Sequence, residues 1–312
     1  AGALPQAKWF TFEAIGNANE REGLAYAFGK PMRAEALVDR ARLIMSIGSD
    51  FLDTEQGAVS ASADWARNRA IGDIDMAMDL KSQPDPKASK FNTKMSRLYS
   101  AETILSLTGS NADHRVRLTP VQMDAFGAQL ALSMIEINGI RLSADLVKVC
   151  TELAKTPLPK GAIEMARAFA LDIQNTLFDD IEGALIVAGR NESPFLHNLV
   201  AALNHKEVTS RASLVRYYDD VSRSEFVGGG QRDQGDFGNL KSVSDLLNAG
   251  KVDTVIILGG NPVYHAPSGL GFDAALKKAK HVVVLSDQNT ETTRFATLTI
   301  PRAHFLEAWG DT

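Results

Sequence analysis

The sequence predicts an α/β protein built from two Rossmann-like, doubly wound lobes with mainly parallel sheets. Two short apolar runs, LIMSI before Gly48 and TVIIL before Gly259, are rich in β-branched residues and stop at glycine followed by small polar residues. Such runs are typical of strands in parallel sheets. Amphipathic helical stretches alternate with them along the chain, and this alternation indicates βαβ units.

The clearest βαβ unit covers residues 251–301. Residues 254–258 are predicted to form a strand that is buried on both faces. A helix over about 271–280, a second strand over 282–285 and a polar loop over 286–292 follow. The two strands are expected to be parallel, with a right-handed crossover. Ligands in such sheets bind beyond the carboxyl ends of the strands, so both polar loops border a predicted crevice.

The other elements are predicted from the same apolar periodicities. Strands are expected over residues 7–15, 43–47, 184–188, 214–218 and 297–300, and helices over residues 19–28, 35–40, 121–137, 143–153, 161–177, 241–249 and from Pro194 onwards. Residues 53–120 depart from this regularity and are interpreted as an irregular insert. The boundaries assign residues 1–222 to the first lobe and residues 223–312 to the second.

Composition excludes several classes of protein. A chain of 312 residues suits two domains, and 45% hydrophobic with 23% charged residues is ordinary for a globular protein. The net charge of -5 does not favour nucleic-acid binding, which requires a basic face. No apolar run reaches the roughly 18 residues of a membrane span.

Cys150 is the only cysteine in the chain. A cluster held by four thiolates and an internal disulfide are therefore both excluded within this segment. The helical pattern predicts that Cys150 lies on a buried face. The chain begins without methionine and ends in the patterned stretch LEAWGDT, so we expect it to be a piece of a longer protein.

Two weak motifs favour structural interpretations. Gly29-Lys30 has one residue too many for a phosphate loop and continues into Pro31, so a helix that stops at Gly29 is expected. His114 with Asp113 and Ser110 lacks the separation of a catalytic triad, and no G-x-S-x-G elbow occurs in the chain. A structural polar network is expected there instead.

Three further features of the sequence bear on ligand binding. His197 and His205 lie eight residues apart, which is not the i, i+4 spacing of a zinc helix, so a metal site is not expected. No G-x-G-x-x-G follows any predicted strand, which disfavours an NAD-dependent enzyme. Residues 228–236 (GGGQRDQGD) form either a linker between the lobes or a loop whose backbone N–H groups wrap a ligand.

Taken together, GGNP after a strand, VVVLSDQNTETT, LTIP and LEAWGD resemble the molybdopterin-guanine-dinucleotide oxidoreductase family. The stretches AKWFTFEAIG, RARLIMSIGSDFL, MSRLYSAETILSLTGSNADHR, ALIVAGRNESPFLHNLVAALN and LGGNPVYHAP are most similar to the B subunit of bacterial alternative complex III, a quinol-oxidising respiratory assembly. The resemblance covers nearly all of the chain. It implies that the first lobe corresponds to domain III of the family and the second to part of domain II.

The resemblance also implies a cellular context. In the B subunit of alternative complex III, a molybdoenzyme-like domain that carries no molybdenum cofactor precedes an iron–sulfur domain. This segment would then hold no cofactor, and iron–sulfur clusters would belong only to a missing C-terminal domain. The implied location is the periplasmic side of the bacterial inner membrane. The implied partners are the iron–sulfur domain, cytochrome c and integral membrane subunits, with no nucleic acid and no direct membrane span.

Two functions follow from the resemblance. The first is a non-catalytic structural domain of a respiratory electron-transfer complex, with no catalytic and no metal-binding residues. Asp50, which would place a negative charge near a pyrophosphate, and Ala296-Thr297, where many molybdoenzymes carry Asp, both favour it. The alternative is a fragment of an active oxidoreductase that binds molybdopterin guanine dinucleotide. Its family-equivalent nucleotide loops would be formed by Gly259, Gly260, Asn261, Pro262, Asp287, Thr290, Glu291 and Thr292.

Overall fold

The chain divides into two compact units. The computed structural model describes residues 7–8, 10, 12, 16–70, 95–176, 178, 182–205, 213–219, 240–304 and 306–308. Residues 17–222 form one unit, and residues 223–312 form the other together with the first 16 residues. The boundaries expected from the sequence place those 16 residues in the first lobe instead. Phe12 packs against the core of the second unit. The predicted strand over 7–15 and the glycine-rich segment 228–236 lie mostly or wholly outside the described residues.

Helices and strands alternate through most of the described chain. The α-helices are α1 (Ala18–Phe28), α2 (Ala58–Arg69), α3 (Leu107–Ser110), α4 (Pro120–Asn138), α5 (Ala144–Leu153), α6 (Lys160–Asn175), α7 (Pro194–Leu203), α8 (Leu240–Asn248), α9 (Pro262–His265) and α10 (Phe272–Leu276). The strands are β1 (Met32–Ala36), β2 (Ala41–Ile47), β3 (Arg97–Glu102), β4 (His114–Arg117), β5 (Gly183–Ala188), β6 (Val215–Asp219), β7 (Thr254–Leu258), β8 (His281–Ser286) and β9 (Leu298–Pro301).

A four-stranded parallel sheet in the order β4-β3-β2-β5 organises the unit of residues 17–222. Alternate residues of β2 point to opposite faces, as strand geometry requires. Leu43, Met45 and Ile47 join a core with helices α4, α6 and α7, whereas Ile44 joins a second core with Trp65 of α2. Apolar layers therefore cover both faces of this sheet, as expected for a doubly wound lobe.

Local signals in the sequence fix where several helices begin and end. The Ser193 hydroxyl accepts a hydrogen bond from the Leu196 N–H at the start of α7, which carries Pro194 at its first position. Thr119 and Gln122 form a capping box at the start of α4. Helix α1 ends at Gly29, whose φ of 72° lies in the left-handed region. The helix-stop interpretation of Gly29 is confirmed.

The predicted helix over residues 35–40 is wrong. Met32–Ala36 is strand β1, which pairs antiparallel with β6, and only Val38–Arg40 forms a 3-10 turn. The helical pattern is local, whereas the partner strand lies about 180 residues further along the chain. Pairing with β6 satisfies the backbone N–H and C=O groups of this segment, and this tertiary contact outweighs the local preference.

The second unit contains a parallel sheet in the order β7-β8-β9. Val255 and Ile257 pack with α8 and α10 on one face. The prediction that residues 254–258 form a strand buried on both faces is wrong, because Ile256 is 55% and Leu258 is 53% exposed. Among the described strands β7 lies at the edge of this sheet, and the described helices cover only one of its faces. Among the described residues, no helix is long and apolar enough to cross a membrane.

Candidate functional site

The ends of β2 and β5 form the first crevice, here called the β2–β5 crevice. The chain passes from β2 to β3 and β4 on one side and then returns to β5 on the other, so this is the point where the strand order reverses. Gly48 follows β2 with a φ of 64°. Gly189 follows β5, and a Cβ added there would stand 2.6 Å from the Gly48 carbonyl carbon. The two backbones approach so closely that only glycine fits at position 189 without a shift.

Three carboxylates of the protein itself, those of Glu192, Glu55 and Asp50, lie at the β2–β5 crevice. The Glu192 carboxylate lies directly over Gly48, in the space that a Cβ would occupy. The Arg190 N–H donates to Glu55 Oε1 at 3.2 Å. Asp50 Oδ1 accepts from both the backbone N–H and the hydroxyl of Thr108, at 2.9 and 2.8 Å. In dinucleotide-binding sheets such strand-end N–H groups bind phosphate, whereas here the protein's own carboxylates accept from them.

Burial and mutual repulsion raise the pKa values of Glu192 and Glu55. Desolvation, followed by the charges of Asp124 and Glu55, raises the pKa of Glu192 to about 7. Desolvation also raises the pKa of Glu55, although the hydrogen bond from Arg190 opposes this shift. The surroundings of Glu192 and Glu55 already disfavour negative charge on these two side chains. A pyrophosphate would add more negative charge at the same place. The β2–β5 crevice therefore does not fit a nucleotide.

Glu192→Gln is expected to flatten the pH dependence of stability. Because the folded pKa of Glu192 is raised from 4.5 to about 7, the folded state loses stability as pH rises between these values. The glutamine variant lacks this loss. Urea unfolding at pH 8 should show it to be more stable than the parent chain by roughly 1–2 kcal/mol after allowance for solvent screening. The difference should vanish near pH 4.5.

A matched control is Glu164→Gln, since the Glu164 side chain is exposed beside Lys160. Its stability should follow that of the parent chain within about 0.5 kcal/mol at both pH values. A Glu192→Gln variant that is no more stable than the parent at pH 8 would contradict the burial of a carboxylate over Gly48.

His197 and His114, two of the three histidines named from the sequence, have structural roles. His197 packs against Gly23 where α1 crosses α7, and burial lowers the pKa of His197 to about 4, so its ring is neutral at pH 7. His114 stacks on Tyr99, with ring centroids 4.5 Å apart. No group of three or more potential metal ligands occurs among the described residues.

Asp113 and Ser110, the residues considered as catalytic partners of His114, form hydrogen bonds with other groups. The Asp113 carboxylate accepts from Arg69 Nη1 at 3.0 Å and from the Leu98 N–H at 2.9 Å. The Ser110 hydroxyl donates to the Leu107 carbonyl. Asp113 and Ser110 are thus engaged with other groups, which is the predicted structural polar network and not a catalytic triad.

The second crevice, here called the β7–β8 crevice, lies at the carboxyl ends of β7 and β8. It holds a cavity of about 400 Å³, lined by Gly260, Asn261, Tyr264, His265, Ser286, Asp287, Gln288, Thr290 and Glu291. Five of the eight residues predicted from the resemblance are in this lining. Gly259, Pro262 and Thr292 are not, and Thr292 is fully buried. Four further lining residues are not among those predicted from the resemblance: Tyr264 and His265, which follow the first loop closely, and Ser286 and Gln288, which belong to the predicted polar loop 286–292. Their positions in or next to the predicted loops were a usable signal.

Asn261 joins the two loops of the β7–β8 crevice. Its Oδ1 accepts from the Thr292 hydroxyl at 2.7 Å, and its Nδ2 donates to Glu291 Oε2 at 2.6 Å. The Thr292 hydroxyl oxygen accepts in turn from the Val263 N–H at 3.1 Å. Three predicted ligand residues therefore bond to one another. The bond from Asn261 lowers the pKa of Glu291, so this carboxylate is ionised at neutral pH.

The open side of the β7–β8 crevice fits a base better than a phosphate. Asp287 and Glu291 are exposed in its lining and supply carboxylate acceptors, the groups that guanine N–H donors require. None of its nine described lining residues is Lys or Arg. Helix α9, which begins at this crevice, has only four residues. The described lining therefore suits the guanine end of a nucleotide and lacks a cationic side chain for a pyrophosphate.

Comparison with solved structures identifies the architecture. The chain is similar to acetylene hydratase from Pelobacter acetylenicus, with a TM-score of 0.57 and 12% sequence identity. The fold is molybdopterin oxidoreductase-like. The match covers 93% of this chain but 44% of that protein, so the chain spans less than half of the neighbour's length. No protein-family model matches the sequence.

Proposed function

We propose that this chain is a non-catalytic, molybdopterin oxidoreductase-like structural domain of a membrane-associated respiratory complex of the alternative complex III type. The observation that carries the proposal is the β2–β5 crevice. Glu192 lies over Gly48, and Glu55 accepts from the Arg190 N–H, so the chain's own acids stand where a bound phosphate would need cations and free N–H donors. The chain folds like an enzyme family that binds a cofactor. In this crevice, however, the protein's own carboxylates occupy the place of the cofactor's phosphate.

The resemblance of the sequence to the B subunit of alternative complex III supports the finer part of the proposal. In this proposal the domain lies on the periplasmic side of the bacterial inner membrane. Its partners are an iron–sulfur domain, cytochrome c and integral membrane subunits of the same complex. Electrons pass through those partner subunits, and the domain described here holds the partner subunits in position.

Metal and pterin analysis of the purified full-length protein tests the proposal. The metal content is measured by mass spectrometry, and the pterin is measured by fluorescence after oxidative release. Acetylene hydratase treated in the same way serves as the comparison protein. We expect less than one tenth of a molybdenum or tungsten atom per chain and no pterin fluorescence. A stoichiometric amount of either metal together with pterin would overturn the proposal.

A second candidate function rests on the β7–β8 crevice. Its open cavity and its two exposed carboxylates favour a site for the guanine end of molybdopterin guanine dinucleotide. If bound, such a cofactor would supply the redox chemistry. Asp287 and Glu291 would orient it by accepting from the base.

Titration with GDP, followed by calorimetry, distinguishes the two candidates. Under the second function GDP binds, and Asp287→Asn weakens it at least 10-fold because a carboxylate acceptor becomes an amide. Asp245→Asn, on the surface of α8 beside Lys241, is the matched control. Under the function proposed first, GDP produces no heat of binding with any of the three proteins.

A further inference from the structure

A groove of about 950 Å³ lies within the unit of residues 17–222, between helices α1, α5 and α7 and the loop that joins α4 to α5. We call it the helix-end groove. Its walls are mainly apolar, and Ile140, Leu142, Leu146, Val149 and Phe195 contribute to them. Small-molecule sites typically have volumes of roughly 300–1,000 Å³, apolar walls and a few polar groups, and they often lie between helices. The helix-end groove has the size and the lining of such a site.

The groove is elongated, because it follows one face of α7. Phe195, Asn198, Ala202 and His205 line it, and their spacing of three or four residues places them on the same side of the helix. Phe195 and His205 are ten residues apart, which corresponds to about 15 Å along a helix. A ligand that fills the groove is therefore long and narrow, and most of its surface is apolar.

Three helices end at this groove. The lining includes Ala27 and Phe28 from the end of α1, Gly139 directly after α4, and Ala202 from the last turn of α7. The last carbonyl groups of a helix have no partner within the helix, and each such end carries about half a negative charge. None of these three helices has a basic residue in its last turn to offset that charge. The backbone alone therefore makes this part of the groove negative.

The side chains at the helix ends do not reverse this balance. Helix α5 begins after the short loop 139–143, and its first turn carries Asp145, which lines the groove and has no hydrogen-bond or ion-pair partner among the described residues. The positive end of α5 is already capped, because the Ser143 hydroxyl accepts from the Leu146 N–H at 3.3 Å. Arg141 is the only Lys or Arg in the described lining. One guanidinium offsets Asp145 and leaves the three helix ends uncompensated, so the groove favours a cation.

We propose that the helix-end groove binds an elongated organic cation, with a substituted ammonium head and an apolar body. The head lies at the three helix ends beside Asp145. Tyr26 and Phe28, in the last turn of α1, supply aromatic rings there, and such rings attract substituted ammonium groups. The body lies along α7 towards Phe195. The groove shares no residue with either crevice, so the inference is independent of the proposed function.

Two probes with the same body and opposite charges test this inference: octyltrimethylammonium and octane-1-sulfonate. Isothermal titration calorimetry of the 312-residue chain at low salt measures the affinity of each. We expect the ammonium probe to bind at least 10-fold more tightly than the sulfonate. Val149→Ser changes a partly exposed residue in the apolar wall. It should weaken binding of the ammonium probe at least threefold, because the octyl chain loses an apolar contact.

Charge variants at the helix ends locate the ammonium head. Ala27→Lys places a cation in the last turn of α1 and should weaken binding of the ammonium probe at least fivefold. Ala27 is exposed and lysine suits the end of a helix, so this variant should fold. Ala27→Gln lacks the charge and should bind like the parent chain. Asp145→Asn should also weaken binding at least fivefold, whereas Glu152→Gln, near the other end of α5, is the matched control.

Two kinds of result would overturn the inference. The first is equal binding of the two probes, tighter binding of the sulfonate, or no binding of either at about 1 mM. The second is an affinity for the ammonium probe that Ala27→Lys and Asp145→Asn both leave unchanged. The cation would then bind elsewhere on a chain whose net charge is -5.

Discussion

Asn204→Leu is expected to lower the free energy of unfolding by about 3 kcal/mol, because it leaves two buried backbone groups without a partner. Strand β5 is at the end of the four-stranded sheet, and none of the described strands pairs with its outer edge. At Ile186 the Asn204 side chain forms the two backbone hydrogen bonds that a neighbouring strand would otherwise form. Its Oδ1 accepts from the Ile186 N–H at 2.9 Å, and its Nδ2 donates to the Ile186 carbonyl at 2.6 Å. Asn204 itself is only 3% exposed.

Urea unfolding followed by circular dichroism measures this loss. Asn248→Ala is the matched control, since Asn248 is an exposed residue at the end of α8. It should change the free energy of unfolding by less than about 0.5 kcal/mol. A loss below 1 kcal/mol for Asn204→Leu would mean that water or a moved side chain replaces the asparagine.

Gly189→Ala is expected to destabilise the chain by roughly 2–3 kcal/mol, because the new methyl group overlaps backbone and not a movable side chain. Its Cβ would lie 2.6 Å from the Gly48 carbonyl carbon and 3.1 Å from the Ser49 N. Either β5 or the turn after β2 must then shift. The shift also disturbs Glu192, which packs over the same turn. Thermal and urea unfolding should both report the loss.

Gly161→Ala provides the comparison, because no atom lies within 4 Å of the added Cβ and the residue is in helix α6. Alanine is the better helix former, so this variant should be as stable as the parent or more stable by up to about 1 kcal/mol. If Gly189→Ala is as stable as Gly161→Ala, the turns after β2 and β5 do not approach each other as closely as described here.

The sequence was sufficient for elements with strong local patterns. Helices α4, α5, α6 and α7 and strands β2, β5 and β8 were predicted with boundaries close to those observed, because their periodicity and caps agree. Cys150 was predicted to be buried and is buried. The predicted fold class is confirmed by the mainly parallel sheets and by the solved structure of similar fold.

The failures have a common physical cause, which is contact between distant segments. No local pattern in residues 35–40 shows that β1 pairs with β6. The apolar run of β7 predicted burial on both faces, but whether a helix covers the second face depends on chain segments far from it. The bond network around Asn261 also joins loops about 30 residues apart. Five predicted crevice residues do line the cavity there, while their mutual bonds were not foreseen.

The central claim is that the protein's own carboxylates fill the β2–β5 crevice. Electron cryo-microscopy of the purified full-length protein, at a resolution that shows side chains, tests it most directly through the density in this crevice. The account predicts that the Glu192 carboxylate lies over Gly48, that Glu55 is bonded to the Arg190 N–H, and that no further density lies between them. Density for a pyrophosphate across Gly48 and Gly189, with Glu192 turned away, would contradict it.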